Sequence, residues 1–347
     1  MVVLRRFSRR FRNPGISRNK KPWKKDNPRR KRKEEKLERY TDSSLIWTRD
    51  QVWIDSHCHL DRLGLKLSKN LGQAPEALFQ KLGLEDKTGR RRCVAIFCEH
   101  VVWSKMGWRD SLREDILYSS LNHSSIKIVV GSHPQESSEW NDFLKAKMKR
   151  FISIHRSNIA AVGGCGMDRR QRFWSCDPAL QRKSTLDQIE IAQYFNLPIV
   201  LYSRESSLEL LALLKRKLPR DWLLHKQSHV DNWAQTQEWM RWFPRTYFGL
   251  TFGILSHHAP GVKEMVQKLP LDQILIGSDA PSFPPRGFGY STPSDVWLVA
   301  KEIAKIKGLE TTAIMYHHSR NTERVYGFTH TILGIHGWGP DPTQRYY

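Results

Sequence analysis

Two histidines two residues apart, His57 and His59, lie in the run Asp55-Ser56-His57-Cys58-His59, directly behind the short apolar stretch Val52-Trp53-Ile54. Strand side chains alternate faces with period two, so residues two apart at a strand end can point the same way. Neutral imidazole is the commonest metal ligand. The motif therefore offers half of a metal site. On its own it reads as readily as a strand end carrying two hydrogen-bonded histidines.

The elements that would position such a site follow from the hydrophobic pattern. Eight short β-rich runs are expected at residues 52–55, 93–98, 126–131, 159–163, 198–202, 222–225, 247–250 and 273–277, with helix-like stretches such as 178–195 and 206–217 between them. Strands alternating with helices over about 270 residues predict an α/β fold, a (β/α)8 TIM-type barrel. In such barrels the reacting groups sit past the C-terminal ends of the strands. Polar residues collect there: His57 and His59, His133 before Pro134, Asp168, Ser203-Arg204-Glu205, His225 to His229, and Ser278-Asp279-Ala280-Pro281. His317 and His318 have no strand before them and read as residues of a late helix.

The chain of 347 residues carries a net charge of +22, unevenly spread. Residues 1–40 hold 17 Lys and Arg against 4 Asp and Glu, and the remaining residues hold 40 against 31. A tail over residues 1–45 is too charged to bury a core and is expected to be disordered. The barrel is assigned to residues 50–328, and the Gly-, Pro- and aromatic-rich residues 329–347 read as an irregular tail. Arg29-Arg30-Lys31-Arg32-Lys33 resembles a nuclear localisation cluster. The acid-free residues 1–25 offer a mitochondrial transit peptide as the second reading. The arginines that follow Leu4 argue against a secretory leader, and no apolar run is long enough for a bilayer span. Five cysteines without a Cys-x-x-Cys pair argue against a disulfide scaffold or a zinc ribbon. An intracellular protein is expected, in the nucleus before the mitochondrion.

Taken in order, Asp55-Ser-His-Cys-His-Leu-Asp61, Gly131-Ser-His-Pro134, Val162-Gly-Gly-Cys-Gly-Met-Asp168, Leu197-Pro-Ile-Val-Leu-Tyr-Ser-Arg-Glu205, Ser278-Asp-Ala-Pro281 and Asn321-Thr-Glu-Arg-Val-Tyr-Gly327 resemble the successive motifs of the TatD family. The branch with a long N-terminal extension, found in animals, looks most similar. The resemblance implies a barrel of the metal-dependent hydrolase superfamily and a divalent-metal deoxyribonuclease, often a 3′→5′ exonuclease on single strands. It also implies two ions. One is held by the histidines matching His57 and His59, a glutamate after strand four and the aspartate matching Asp279. The other shares that glutamate and adds one histidine after strand five and one after strand six.

This chain departs from that pattern at three positions. The bridging glutamate corresponds to Gly164, the strand-five histidine to Tyr202, and the strand-six histidine to Gln227. A shift of two residues would put His225 in the last place instead, and His229 is a further candidate. Glycine has no ligand atom, and neutral Tyr and Gln are poor ligands for a transition metal. His57, His59 and Asp279 remain a workable site for one divalent ion (Zn, Mg or Mn) rather than two. Around such a site Asp279, Arg204 and His133 are the expected catalytic residues. Asp279 takes a proton from water, Arg204 neutralises a phosphate oxygen, and His133 either orients the substrate or supports the metal ligands from behind. A weakened phosphodiester hydrolase is the first expectation. A barrel that binds nucleic acid without cutting it is the second, and a hydrolase of amides or lactones the third. The expected partner is DNA or RNA, bound by the tail and the barrel rim. No membrane association is expected, and the protein is expected to be a monomer. The aromatic stretch Trp222, Trp233, Trp239, Trp242 and Phe243 offers stacking platforms, or more simply a helix face packed on the barrel.

Overall fold

The computed structural model describes residues 53–71, 74–85, 90–104, 111–170, 176–228, 231–255, 260–285 and 287–328. The expected tails at 1–45 and 329–347, and His229, lie outside the described residues. Eight parallel strands follow one another in chain order: β1 (Trp53–Cys58), β2 (Arg91–Phe97), β3 (Ile126–Val130), β4 (Ile159–Asp168), β5 (Ile199–Arg204), β6 (Leu224–Gln227), β7 (Thr246–Leu250) and β8 (Ile274–Ile276). Helices lie between them, and the result is a nearly closed (β/α)8 barrel. Parallel strands covered by helices are buried on both faces, which explains their near-continuous apolar character.

Two apolar layers separate the inside of the barrel from the outside. A large cluster, including Trp53, Phe97, Ile128, Trp239, Phe248 and Ile303, packs the sheet against the helices. A smaller one, with Ile54, Val94, Ile96, Val129, Val200 and Leu275, fills the interior. Val325, Tyr326 and Phe328, at and beyond the end of helix Thr311–Tyr326, belong to the inner cluster. Asn321 anchors that helix by donating to the carbonyls of Leu271 (2.8 Å) and Ile274 (2.9 Å).

The strands differ from the sequence pattern mainly at their C-terminal ends. β1 runs through the polar motif to Cys58 instead of stopping at Asp55, with a register shift between Asp55 and Cys58. β4 runs to Asp168 instead of ending at Gly163, and a register shift between Gly163 and Cys165 lets it do so. Its glycines end nothing. A Cβ on Gly163 would stand 2.2 Å from the Val200 carbonyl oxygen, and one on Gly166 would stand 1.9 Å from that of Tyr202. Glycine is needed there because the β5 backbone approaches too closely for a side chain. β6 likewise extends past His225 to Gln227, which puts His225 inside the strand rather than after it.

Candidate metal centre

The site is built at the C-terminal rim. The last residues of β1 and the turn after β8 are tied together by main-chain bonds, from Asp279 N to His57 O and from His59 N to Ala280 O, both 2.8 Å. Below them the buried Asp55 carboxylate receives His57 N (2.9 Å), Ser278 N (3.0 Å) and Ser278 Oγ (2.5 Å). Burial pushes the Asp55 carboxyl up to about 8, and these donors pull against it. Asp55 thereby fixes the seam from which all three candidate ligands project. Sequence reading quoted it as part of the motif without giving it a role.

His57, His59 and Asp279 offer ligand atoms that all lie within 4.8 Å of one another. Asp279 Oδ1 is 3.7 Å from His57 Nε2 and 3.3 Å from His59 Nε2. Ligands about 2.1 Å from a tetrahedral ion stand roughly 3.4 Å apart, so the donor set fits a divalent cation. His59 Nδ1 donates to the Ile96 carbonyl at 2.9 Å, which leaves its Nε2 lone pair on the pocket side. Burial drives the His57 pKa down to about 3 and keeps that ring neutral, as a ligand must be. At His59 burial and Arg62 disfavour a proton while Cys98 and Asp279 favour it, and the balance lies upward, at about 10. A divalent cation therefore competes with a proton shared by His59 and Asp279.

Around this group opens a pocket of about 700 Å³, counted with its mouth. Its wall includes Arg62, Cys98, His133, Gly164, Tyr202, Arg204 and Gln227. His133 Nδ1 accepts from Gln135 N at 3.2 Å, so its other nitrogen carries the hydrogen. Burial, with Arg62 and His59 nearby, pushes His133 down to about 3 and keeps it a neutral donor. Its ring meets that of Tyr202 edge to face at 4.4 Å. Arg204 Nε donates to the Tyr202 hydroxyl at 3.3 Å.

The three positions matched to lost ligands, Gly164, Tyr202 and Gln227, all line this pocket. His225 does not join the ligand group. It is fully buried within β6, with Nδ1 bonded to the Tyr326 hydroxyl and Nε2 facing Gln227 Nε2 at 3.2 Å. Its ring lies 5.9 Å from that of His57. Asp168 pairs with Arg170 and accepts from Gln135 Nε2. His317 lies in the helix Thr311–Tyr326 as expected, and so does His318, which is buried there. Trp239 and Phe243 are buried in the outer layer, whereas Trp242 is 38% exposed.

Sequence reading missed Arg62, Arg170 and Gln135. Arg62 lies beside Asp61 of the first motif, and its guanidinium pairs with Glu99 at 2.7 Å. Arg113 joins Glu99 (2.7 Å) to Asp61 (2.5 Å) behind it. Only the motif's acidic end hinted at this network.

A (β/α)8 barrel with two histidines at the C-terminal end of the first strand and an aspartate after the eighth defines a barrel of the metal-dependent hydrolase class. Residues 54–327 match the family model described as TatD related DNase, and the chain belongs to that family. The human 3′-5′ RNA nuclease TATDN2 is 24% identical over 283 residues, which are 80% of this chain and 35% of that protein. The 3′-5′ ssDNA/RNA exonuclease TatD of Cronobacter sakazakii is 26% identical over 209 residues, 57% of this chain and 76% of the relative. The chain thus spans about a third of the length of one relative and about three quarters of the other. Among solved structures, the TatD homologue YjjV from Escherichia coli superposes with a TM-score of 0.63 at 20% identity, covering 79% of this chain and 98% of that one.

Proposed function

We propose that this chain is a metal-dependent phosphodiesterase acting on single-stranded nucleic acid from its 3′ end, with one divalent ion rather than two. The observation that carries the reading is the composition of the pocket. Three clustered ligand atoms share this pocket with Gly164, Tyr202 and Gln227, the residues that the family resemblance matches to the carboxylate and two imidazoles of a second ion. Relatives named as 3′-5′ nucleases of RNA and single-stranded DNA support the substrate class.

In this reading His57 Nε2, His59 Nε2 and Asp279 Oδ1 hold the ion. Bound there, it would lower the pKa of a water towards neutrality and polarise a phosphoryl oxygen. The chain's own groups do the rest. Arg204 neutralises a non-bridging oxygen, His133 donates from its protonated nitrogen to orient the phosphate, and Asp279 accepts the water's proton. A missing second cation removes a few kcal/mol of transition-state stabilisation, roughly 10²–10³-fold in rate. The enzyme is slow for its family on this account. The basic cluster at residues 29–33 would address it to the nucleus.

The test is metal content of the purified full chain together with exonuclease assays on wild type and Asp279→Asn. About one ion per chain, with both ion and cleavage lost in the variant, is the expected result. The same three replacements favour a second reading, a barrel that binds nucleic acid without cutting it. Metal-free protein that cleaves nothing but binds strands in a salt-sensitive way would establish that reading and overturn the first.

A further inference from the structure

In-line displacement at phosphorus expels an oxygen that carries developing negative charge. In two-ion sites the second cation takes that charge. A site with one ion needs another group to do so, and the pocket wall holds a candidate. The Tyr202 hydroxyl accepts hydrogen bonds from Arg170 Nη2 at 3.1 Å and from Arg204 Nε at 3.3 Å. Arg170 is held in place by Asp168, through Nε to Oδ1 at 2.9 Å and Nη2 to Oδ2 at 2.5 Å. Two guanidiniums converging on one phenol oxygen is the arrangement that stabilises a phenolate as it forms. Tyr202 lines the same pocket as His57, His59 and Asp279, in the strand after Gly164.

We propose that Tyr202 is the general acid of this reaction, its phenol protonating the leaving oxygen while Arg170 and Arg204 hold the phenolate. The proposal rests on the phosphodiesterase reading above. The water oxygen bonds to phosphorus and its proton goes to Asp279. The bond from phosphorus to the leaving oxygen breaks, and the Tyr202 proton passes to that oxygen, which departs as a hydroxyl. Solvent then takes the proton from Asp279 and returns one to Tyr202, so the net reaction is hydrolysis. Burial raises the Tyr202 pKa, opposed by Arg204 and Arg170, so the phenol meets the substrate with its proton on. Arg170 is a positioning residue: it acts through Tyr202 and is oriented by Asp168.

The general-acid role separates from a merely shaping one through the leaving group. Removal of an acid typically costs roughly 10²–10⁴-fold, and only where the leaving group needs a proton. The metal-loaded full chain and its Tyr202→Phe variant are assayed on a single-stranded oligonucleotide and on the p-nitrophenyl ester of thymidine 5′-phosphate. The nitrophenolate leaves without protonation. The expected result is a fall in kcat of about 100-fold or more on the oligonucleotide, with a change below about 3-fold on the nitrophenyl ester. Equal losses on both substrates would overturn the proposal, because Tyr202 would then only shape or bind. So would an undiminished kcat on both. Wild type inactive on both substrates would instead remove the phosphodiesterase reading, and this one with it. Thermal unfolding of the variant at the wild-type temperature establishes that loss of fold is not the cause.

Discussion

Gly164 marks the point where the pocket has room for a ligand and no ligand atom. A Cβ built on it meets nothing within 4 Å. Its backbone does not need glycine as those of Gly163 and Gly166 do, with φ of 142° and 145°. Gly164→Glu should therefore be accepted sterically and bring a carboxylate towards the cluster of His57, His59 and Asp279. A fourth ligand should tighten ion retention by roughly tenfold or more, about 1.4 kcal/mol. The measurement is metal content after dialysis against graded chelator. Adding Tyr202→His and Gln227→His should take the stoichiometry from one ion to two. Unchanged retention in the single variant would mean that Gly164 is not the lost bridging position. The cluster of His57, His59 and Asp279 was legible from residue type and strand-end position, whereas Gly164 was singled out only by the family resemblance. Arg62 and Arg170 were not legible, because an arginine one or two residues after an aspartate is an ordinary surface pattern until the fold turns it into a pocket.

At the scale of elements, the barrel seam depends on side chains. Ser56 Oγ donates to the Ile276 carbonyl at 2.8 Å, joining β1 to β8. His318, on the helix Thr311–Tyr326, bridges the same two strands. Its Nδ1 accepts from Ile276 N at 3.0 Å and its Nε2 faces the Ile54 carbonyl at 2.6 Å. One tautomer, with the proton on Nε2, satisfies both. A second proton on Nδ1 would break the bond from Ile276, and burial pushes the pKa down to about 4. A depressed folded-state value means stability that is present above the unfolded value of 6.5 and lost as pH falls towards 4. The cost over that window is on the order of 3 kcal/mol. Urea unfolding of wild type from pH 7 to 4 should show this loss. His318→Gln should be less stable at pH 7 and should take up about one proton fewer on unfolding in acid. An unchanged proton uptake would sink the assignment. The strands themselves were legible, all eight in order, because buried parallel strands are short apolar runs. Their ends were misread where polar or glycine residues continue a strand, as in β1 and β4. The role of His318 was hidden because its partners lie 42 and 264 residues away in sequence.

At the scale of the whole molecule, charge and chemistry fall on different parts of the chain. The pocket residues lie between His57 and Phe283, whereas residues 1–40 alone hold 17 of the 57 Lys and Arg. Basic residues that neutralise phosphates release counterions, and the logarithm of affinity for a single strand falls by about 0.7 per contact for each logarithm of salt. The first 40 residues should therefore set how often and how tightly a strand is captured, and leave the bond-breaking step alone. Removing them should raise KM at low salt and leave kcat within about 2-fold, because no catalytic group is touched. If about six phosphates are neutralised by this segment, the salt slope should fall by about 4. Fluorescence anisotropy with a labelled single strand across a salt series measures the slope, and the oligonucleotide assay measures kcat. The two proteins should converge in affinity at high salt, where only the contacts of the barrel persist. Equal slopes with and without the segment would put the nucleic-acid contacts on the barrel. A large drop in kcat would mean that the segment reaches the reacting phosphate.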